Sequence, residues 1–177
     1  MSELNTENIT WNLVAPALAE QRAYMALDWL ARVSAPAWLR LAGLGPDAEA
    51  LEQLEPLATT ETAEAALPTL RAIRATLRKA ARVARVDEAG KAAWSAVFES
   101  AGLAAWQVII AAAGTASWPA VRELAGAPSW EIVRMAGRAA ARTATLAGGE
   151  PWVTLEPTSL VLQASAQDLF KAMAAAG

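Results

Sequence analysis

Between Ala15 and Val33 apolar residues recur at helical spacing, and Pro16 suits a first turn. "SAPAWLRLAGLGP" follows as a break, a short helix from about Pro36 to Ala42 with Ser34 as its cap, and a stop at Gly43. A third helix is expected after Pro46, with Asp47 as N-cap, ending before Pro56; Thr60 or Thr62 opens a further short turn. From Pro68, "PTLRAIRATLRKAARVARV" predicts a long helix whose inner stripe is Leu70, Ile73, Leu77 and Ala81. "LAGGEPW" reads as a loop. A last helix is expected from about Pro157 to Ala174, with Leu162, Ala166, Leu169, Phe170 and Met173 facing inward.

Between these helices the chain repeats one phrase: "AGKAAW", "AGLAAW", "AGTASW" and "AGAPSW" put Trp94, Trp106, Trp118 and Trp130 twelve residues apart. Twelve residues of unbroken helix turn the chain by about 1200°, so each Trp would sit about 120° around from the last and no seam could hold all four. Pro119 and Pro128 also oppose one continuous helix. The repeats therefore predict short helices joined at Gly90, Gly102, Gly114 and Gly126, with Ser117 and Ser129 as caps, stacked so that neighbours bury each other. The 22 residues from Ser100 to Val121 carry no charge, near the length of a membrane span, but their loop-like order of Gly114, Thr115, Ser117 and Pro119 favours a buried segment.

Hydrophobic residues are 55% of the chain, yet aromatics are only 6% and mostly Trp; alanine supplies much of the remainder. Strand signals are scarce, so the expected class is all-α: a compact array of short and medium helices with an irregular repeat in the middle. Residues 1–177 are expected to form a single helical domain, with N-terminal helices to 67, the basic helix and repeats over 68–147, and a loop and closing helix over 148–177.

The chain has neither Cys nor His. That excludes disulfides, thiolate nucleophiles, Ser-His pairs and the usual zinc ligand sets; nothing calls for a cofactor or metal. A net charge of −3 disfavours nucleic acid, and the polar, acidic start without a basic, apolar leader points to the cytoplasm.

Four groups of residues offer chemistry. Arg71, Arg74, Arg78, Arg82 and Arg85 share one helix face, suited to an anion or acidic partner, although the preceding acids from Asp47 to Glu64 would neutralise them by folding back. Arg22 lies on the apolar side of the first helix, where it must snorkel, stack on Trp29 or pair with a carboxylate. Glu20, Tyr24 and Asp28 form a row that would do proton transfer inside a cavity but reads more simply as a solvated face, as does the row Arg134, Arg138, Arg142. Finally, Trp29, Trp94, Trp106, Trp118 and Trp130 are candidates to line a site for an apolar ligand, with core filling as the simpler reading.

"ALDWLARVSAPAWLRLAGL", the Ala-Ala-Trp units and "LEPTSLVLQASAQDLFKAM" together resemble a group of Ala/Trp-rich proteins of high-GC actinobacteria. The resemblance covers most of the chain and implies a repeat architecture and a soluble bacterial protein, without a function to carry over. This chain departs from the group's pattern at "QVIIAAAGTASW", where Val, Ile and Thr replace charged repeat positions.

Two functional expectations follow. The first is a non-catalytic helical-repeat protein binding a protein partner or an apolar small molecule, with a homodimer compatible. The second is a cofactor-independent biosynthetic enzyme of cyclase or isomerase type, with Arg22, Tyr24, Asp28 or Glu99 acting in a Trp-lined cavity. If function uses the repeats, Val108, Ile109 and Ile110 mark where their pattern fails.

Overall fold

The structure, a computed structural model, describes residues 16–83 and 102–176. Among them every regular element is helical, as composition predicts. In chain order these are α1 (Pro16–Trp29), a π-helical turn (Leu30–Ser34), α2 (Ala35–Leu41), α3 (Gly45–Glu52) and α4 (Thr60–Val83). Then come α5 (residues 102–113), α6 (Trp118–Val121), a second π-helical turn (Arg122–Gly126), α7 (Ala127–Leu146) and α8 (Pro151–Ala175).

α7 is the centre of the packing. Its inner side is almost entirely small: Ser129, Ala136, Gly137, Ala140, Ala141 and Ala144 are buried there, with Ile132 and Val133 at the N-terminal end. Small side chains let neighbouring backbones come close, and α2 and α4 pack against α7 more extensively than against any other helix. The large side chains that fill the remaining volume come from those neighbours: Trp38 and Leu39 of α2, and Leu70, Ile73 and Leu77 of α4, all within one core cluster. α8 lies on α7 and runs antiparallel to α1, since Trp29 reaches Ser165 (2.9 Å) while Arg22, earlier in α1, reaches Met173 (2.7 Å).

Several expected breaks are not breaks. Ser34 does not cap α2: it has helical φ and ψ (−70°, −50°) in a π-helical turn that carries α1 directly into α2. Its hydroxyl and the indole N–H of Trp38, one turn on, are buried without a hydrogen-bond partner, a cost the packing must offset. Gly126 likewise sits within helical backbone, so Ser129 is not a cap but donates from inside α7 to the Ala125 carbonyl at 2.8 Å. Ser117 precedes α6 without a capping bond. α4 begins at Thr60 rather than Pro68, opened by a reciprocal box in which Thr59 and Thr62 each accept from the other's backbone N–H (3.3 and 3.1 Å). α8 begins at Pro151 rather than Pro157, with Glu150 extended before it. Pro68 and Pro157 are tolerated inside helices because both are exposed, as are Glu64 and Val153, whose carbonyls lose their donors. Asp47 falls in the first turn of α3, and Leu44 takes the cap position. Ala81 is exposed, so the α4 stripe ends at Leu77.

True stops occur where the backbone turns left-handed. Gly43 (φ +79°) ends α2 and Gly148 (φ +77°) ends α7. Each is followed by a residue that donates back to the carbonyl five positions earlier, Leu44 to Leu39 (2.8 Å) and Gly149 to Ala144 (3.2 Å). The turn after α2 is held by a two-pronged pair between Arg40 and Glu52, with Nη2 to Oε2 at 2.6 Å.

Arg40 holds the Glu52 carboxyl below its ordinary value of 4.5. A group whose acidity is raised by folding contributes stability that is complete above the unfolded value and lost as pH falls through the folded one. The stability difference between the parent and Arg40→Gln is therefore expected to be largest near neutrality and to shrink below about pH 4.5. Urea unfolding at a series of pH values measures it; a difference that grows in acid would contradict the pairing.

Candidate docking surface

α5 has two apolar faces. Ala104, Ala105, Val108 and Ala112 are buried on one. Directly opposite, Leu103, Trp106 and Ile110 follow each other at i, i+3 and i+7, and 46% of Trp106 and 54% of Ile110 are open to solvent. No charged residue occurs in residues 102–113. A helix apolar all round normally belongs inside a protein, so an exposed half of that composition is a surface that requires an explanation.

Trp130, in the first turns of α7, extends the same surface. Its ring centroid lies 6.2 Å from that of Trp106, the planes tilted by 39°, within the range of favourable aromatic pairs. Trp130 is half-buried and rests on the core, so it braces Trp106 from below. The structure thus brings together two of the repeat tryptophans. Ile110 belongs with them, whereas Val108 is fully buried and Ile109 packs partly against the core.

The other tryptophans have different duties. Trp118 is buried at the start of α6, and its Cη2 approaches Gly126 so closely that a Cβ there would meet it at 3.3 Å. Gly126 is therefore small to admit Trp118. Trp29 is buried between α1 and α8 with its indole donating to Ser165. Trp94 and Glu99 lie outside the described residues. The three described repeat tryptophans thus occupy three settings: mid-helix and exposed, helix start and buried, and half-buried beneath a neighbour.

Several of the charged candidates are engaged by protein groups. Arg22 is buried and donates from Nε to the Met173 carbonyl, one of the last four of α8 that no helical N–H can reach. A cation at a helix C-terminus is favourable. The row from Glu20 to Asp28 is not a solvated face. Glu20 is exposed, but Tyr24 is buried with its hydroxyl 2.8 Å from Thr60 Oγ1. Asp28 accepts from the Leu57 N–H at 2.7 Å and from Arg32 at 3.2 Å. Together Tyr24 and Asp28 tie down the approach to α4.

Two members of the basic stripe of α4 are answered by α7. Glu131 receives Arg74 through one oxygen (3.2 Å) and Arg78 through the other (2.6 Å). Arg71 is exposed; of Arg82 only the helical backbone is described, and Arg85 lies outside the described residues. On the outer side of α7, Arg134 and Arg138 are exposed and Arg142 is half-buried; burial and the neighbouring Arg134 hold Arg138 below its ordinary value. Among the described residues no group of acids is arranged to hold a metal ion, and no helix is long and apolar enough to cross a membrane.

No family model matches the chain, and neither curated proteins nor solved structures provide a match.

Sequence reasoning named Trp106, Trp130 and Ile110 separately but not their assembly. The signal was present: "LAAWQVII" places Leu103, Trp106 and Ile110 on the side of α5 opposite its alanines. Trp118→Ala is expected to cost about 3–5 kcal/mol, as for a core aromatic. Trp106→Ala should cost no more than about 1.5 kcal/mol, the worth of an exposed aromatic pair. Urea unfolding of both variants checks the contrast; equal losses would place Trp106 in the core.

Proposed function

We propose that this is a non-catalytic helical interaction protein that docks a protein partner on the α5 surface formed by Leu103, Trp106, Ile110 and Trp130. The observation that carries the reading is the apolar outer face of an uncharged helix, centred on an exposed Trp braced by a second Trp. Exposed aromatics backed by a rigid core supply most of the energy at protein interfaces, because they bury much area with little loss of side-chain freedom. The mode that fits best is a partner helix laying its own apolar face along α5, with anchors spaced at i, i+3 and i+7. A small apolar molecule would use the same indoles but needs an enclosing wall as well. The same reading takes the protein to be a cytoplasmic protein of a bacterium, in keeping with its acidic composition and the resemblance described above.

The test begins with crosslinking in cells to identify partners, followed by binding measurements with purified components. Trp106→Ala and Ile110→Glu should each weaken binding at least about tenfold, the scale of an interface hot spot, while melting curves stay close to the parent's. Partners that bind both variants as tightly as the parent would refute the assignment of this face.

A further inference from the structure

The cations of this chain are gathered on two helices that touch. Residues 65–83 of α4 carry five Arg and Lys and no acid, and α7 carries Arg134, Arg138 and Arg142 with one acid, Glu131. Eight of the chain's fifteen cations thus share these segments with one of its eighteen acids, in a protein of net charge −3. Residues 84–101 bring two cations and three acids, too few to cancel the excess. The two segments adjoin where Arg74 and Arg78 of α4 both reach Glu131 of α7 (3.2 and 2.6 Å), and that takes up the single acid.

The row on α7 lies on its outer side. Arg134, Arg138 and Arg142 repeat at i, i+4 and i+8, so each stands one turn from the next, and like charges at that spacing repel. Among the described residues no carboxylate pairs with Arg134 or Arg142. Arg134 is exposed, and the Nε of half-buried Arg142 is shut from water without a hydrogen-bond partner. An anion laid on this row would relieve the repulsion and satisfy the donors. The row also starts where the apolar surface of α5 stops. Trp130, which braces Trp106, and Arg134 are one turn apart on the same side of α7. Apolar anchors and cations are therefore parts of one surface.

We infer that the partner docked on α5 is an acidic amphipathic helix, an inference that rests on α5 being the docking surface. Its apolar stripe covers Leu103, Trp106 and Ile110, and carboxylates beside that stripe meet Arg134 and the row behind it. A guanidinium takes a carboxylate through two parallel N–H···O bonds, so the arginines orient an acidic partner and repel a basic one. Nucleic acid fits this surface less well. The row from Arg134 to Arg142 is about 12 Å long. A longer polyanion would run beyond it into a chain whose remaining seventeen acids face seven cations.

Three labelled helical peptides test this, sharing one apolar stripe at i, i+3 and i+7 and differing only in the residues that flank it: Glu, Gln or Lys. Fluorescence anisotropy gives their affinities for the full chain at low and high salt. The Glu peptide is expected to bind at least about tenfold more tightly than the Lys peptide at low salt, and added salt should narrow the gap. Arg134→Glu, verified as folded by circular dichroism, should abolish that preference, whereas Trp106→Ala should weaken all three peptides at least about tenfold. Equal affinities for the three peptides, all lost in Trp106→Ala, would overturn the acidic partner and leave α5 as a docking surface. Binding of the Glu peptide that Trp106→Ala leaves intact would overturn docking on α5 and the inference with it. So would failure of every peptide to bind at roughly millimolar concentration, the weak end of specific association. A single-stranded oligonucleotide that binds more tightly than the Glu peptide, and loses affinity in Arg134→Glu, would assign the row to nucleic acid instead.

Discussion

Everything in this protein leans on the small-residue face of α7. An alanine-rich chain faces a problem of volume, because Ala favours helix strongly but leaves little to fill the space between helices. The solution here is division of labour. Ala136, Gly137, Ala140, Ala141 and Ala144 let neighbouring backbones close on α7, and Trp38, Leu39, Leu70, Ile73 and Leu77 fill what remains. The same bargain recurs locally where Gly126 admits Trp118. Polar side chains then fix the ends of the elements so gathered: Arg22 on the Met173 carbonyl near the end of α8, Asp28 and Tyr24 on the approach to α4, Glu131 between two arginines.

Close packing on one side has a consequence on the other. Helices that meet through alanine need few large residues inward, so large apolar residues elsewhere are not consumed by the core. On α5 and α8 they stand outward, opposite the buried face. Two helices thus carry apolar residues on both sides, one face buried in the core and the other open to solvent. The functional reading thus comes from the faces left over after folding, not from a set of reactive side chains.

The helical class was legible from alanine content and the lack of alternating patterns, and so were the stop at Gly43 and the loop "LAGGEPW", within which Gly148 takes the left-handed turn. Proline and serine misled, for a physical reason. Pro68 and Pro157 break a helix only where the freed carbonyl is shut away from water, and exposure is decided by tertiary packing that a local pattern does not contain. Ser34 and Ser129 resemble caps by type, yet both chain segments continue helically through π-helical turns that no spacing rule announces. The site was half legible. Trp106, Trp130 and Ile110 stood out individually, but their meeting depends on how α5 crosses α7. The exposed apolar side of α8 was partly hidden, because a helix begun at Pro157 omits Val153.

The most direct test of the account is the stability of Ala140→Leu, measured by urea unfolding. Ala140 is buried at the centre of the small-residue face, and a Leu is the better core residue by hydrophobicity but lacks the room. If close approach of helices is the constraint that organises the fold, the added side chain should lower stability by about 1–3 kcal/mol through overpacking. A variant as stable as the parent, or more so, would mean that the space beside α7 is not closed, and the central claim would fall.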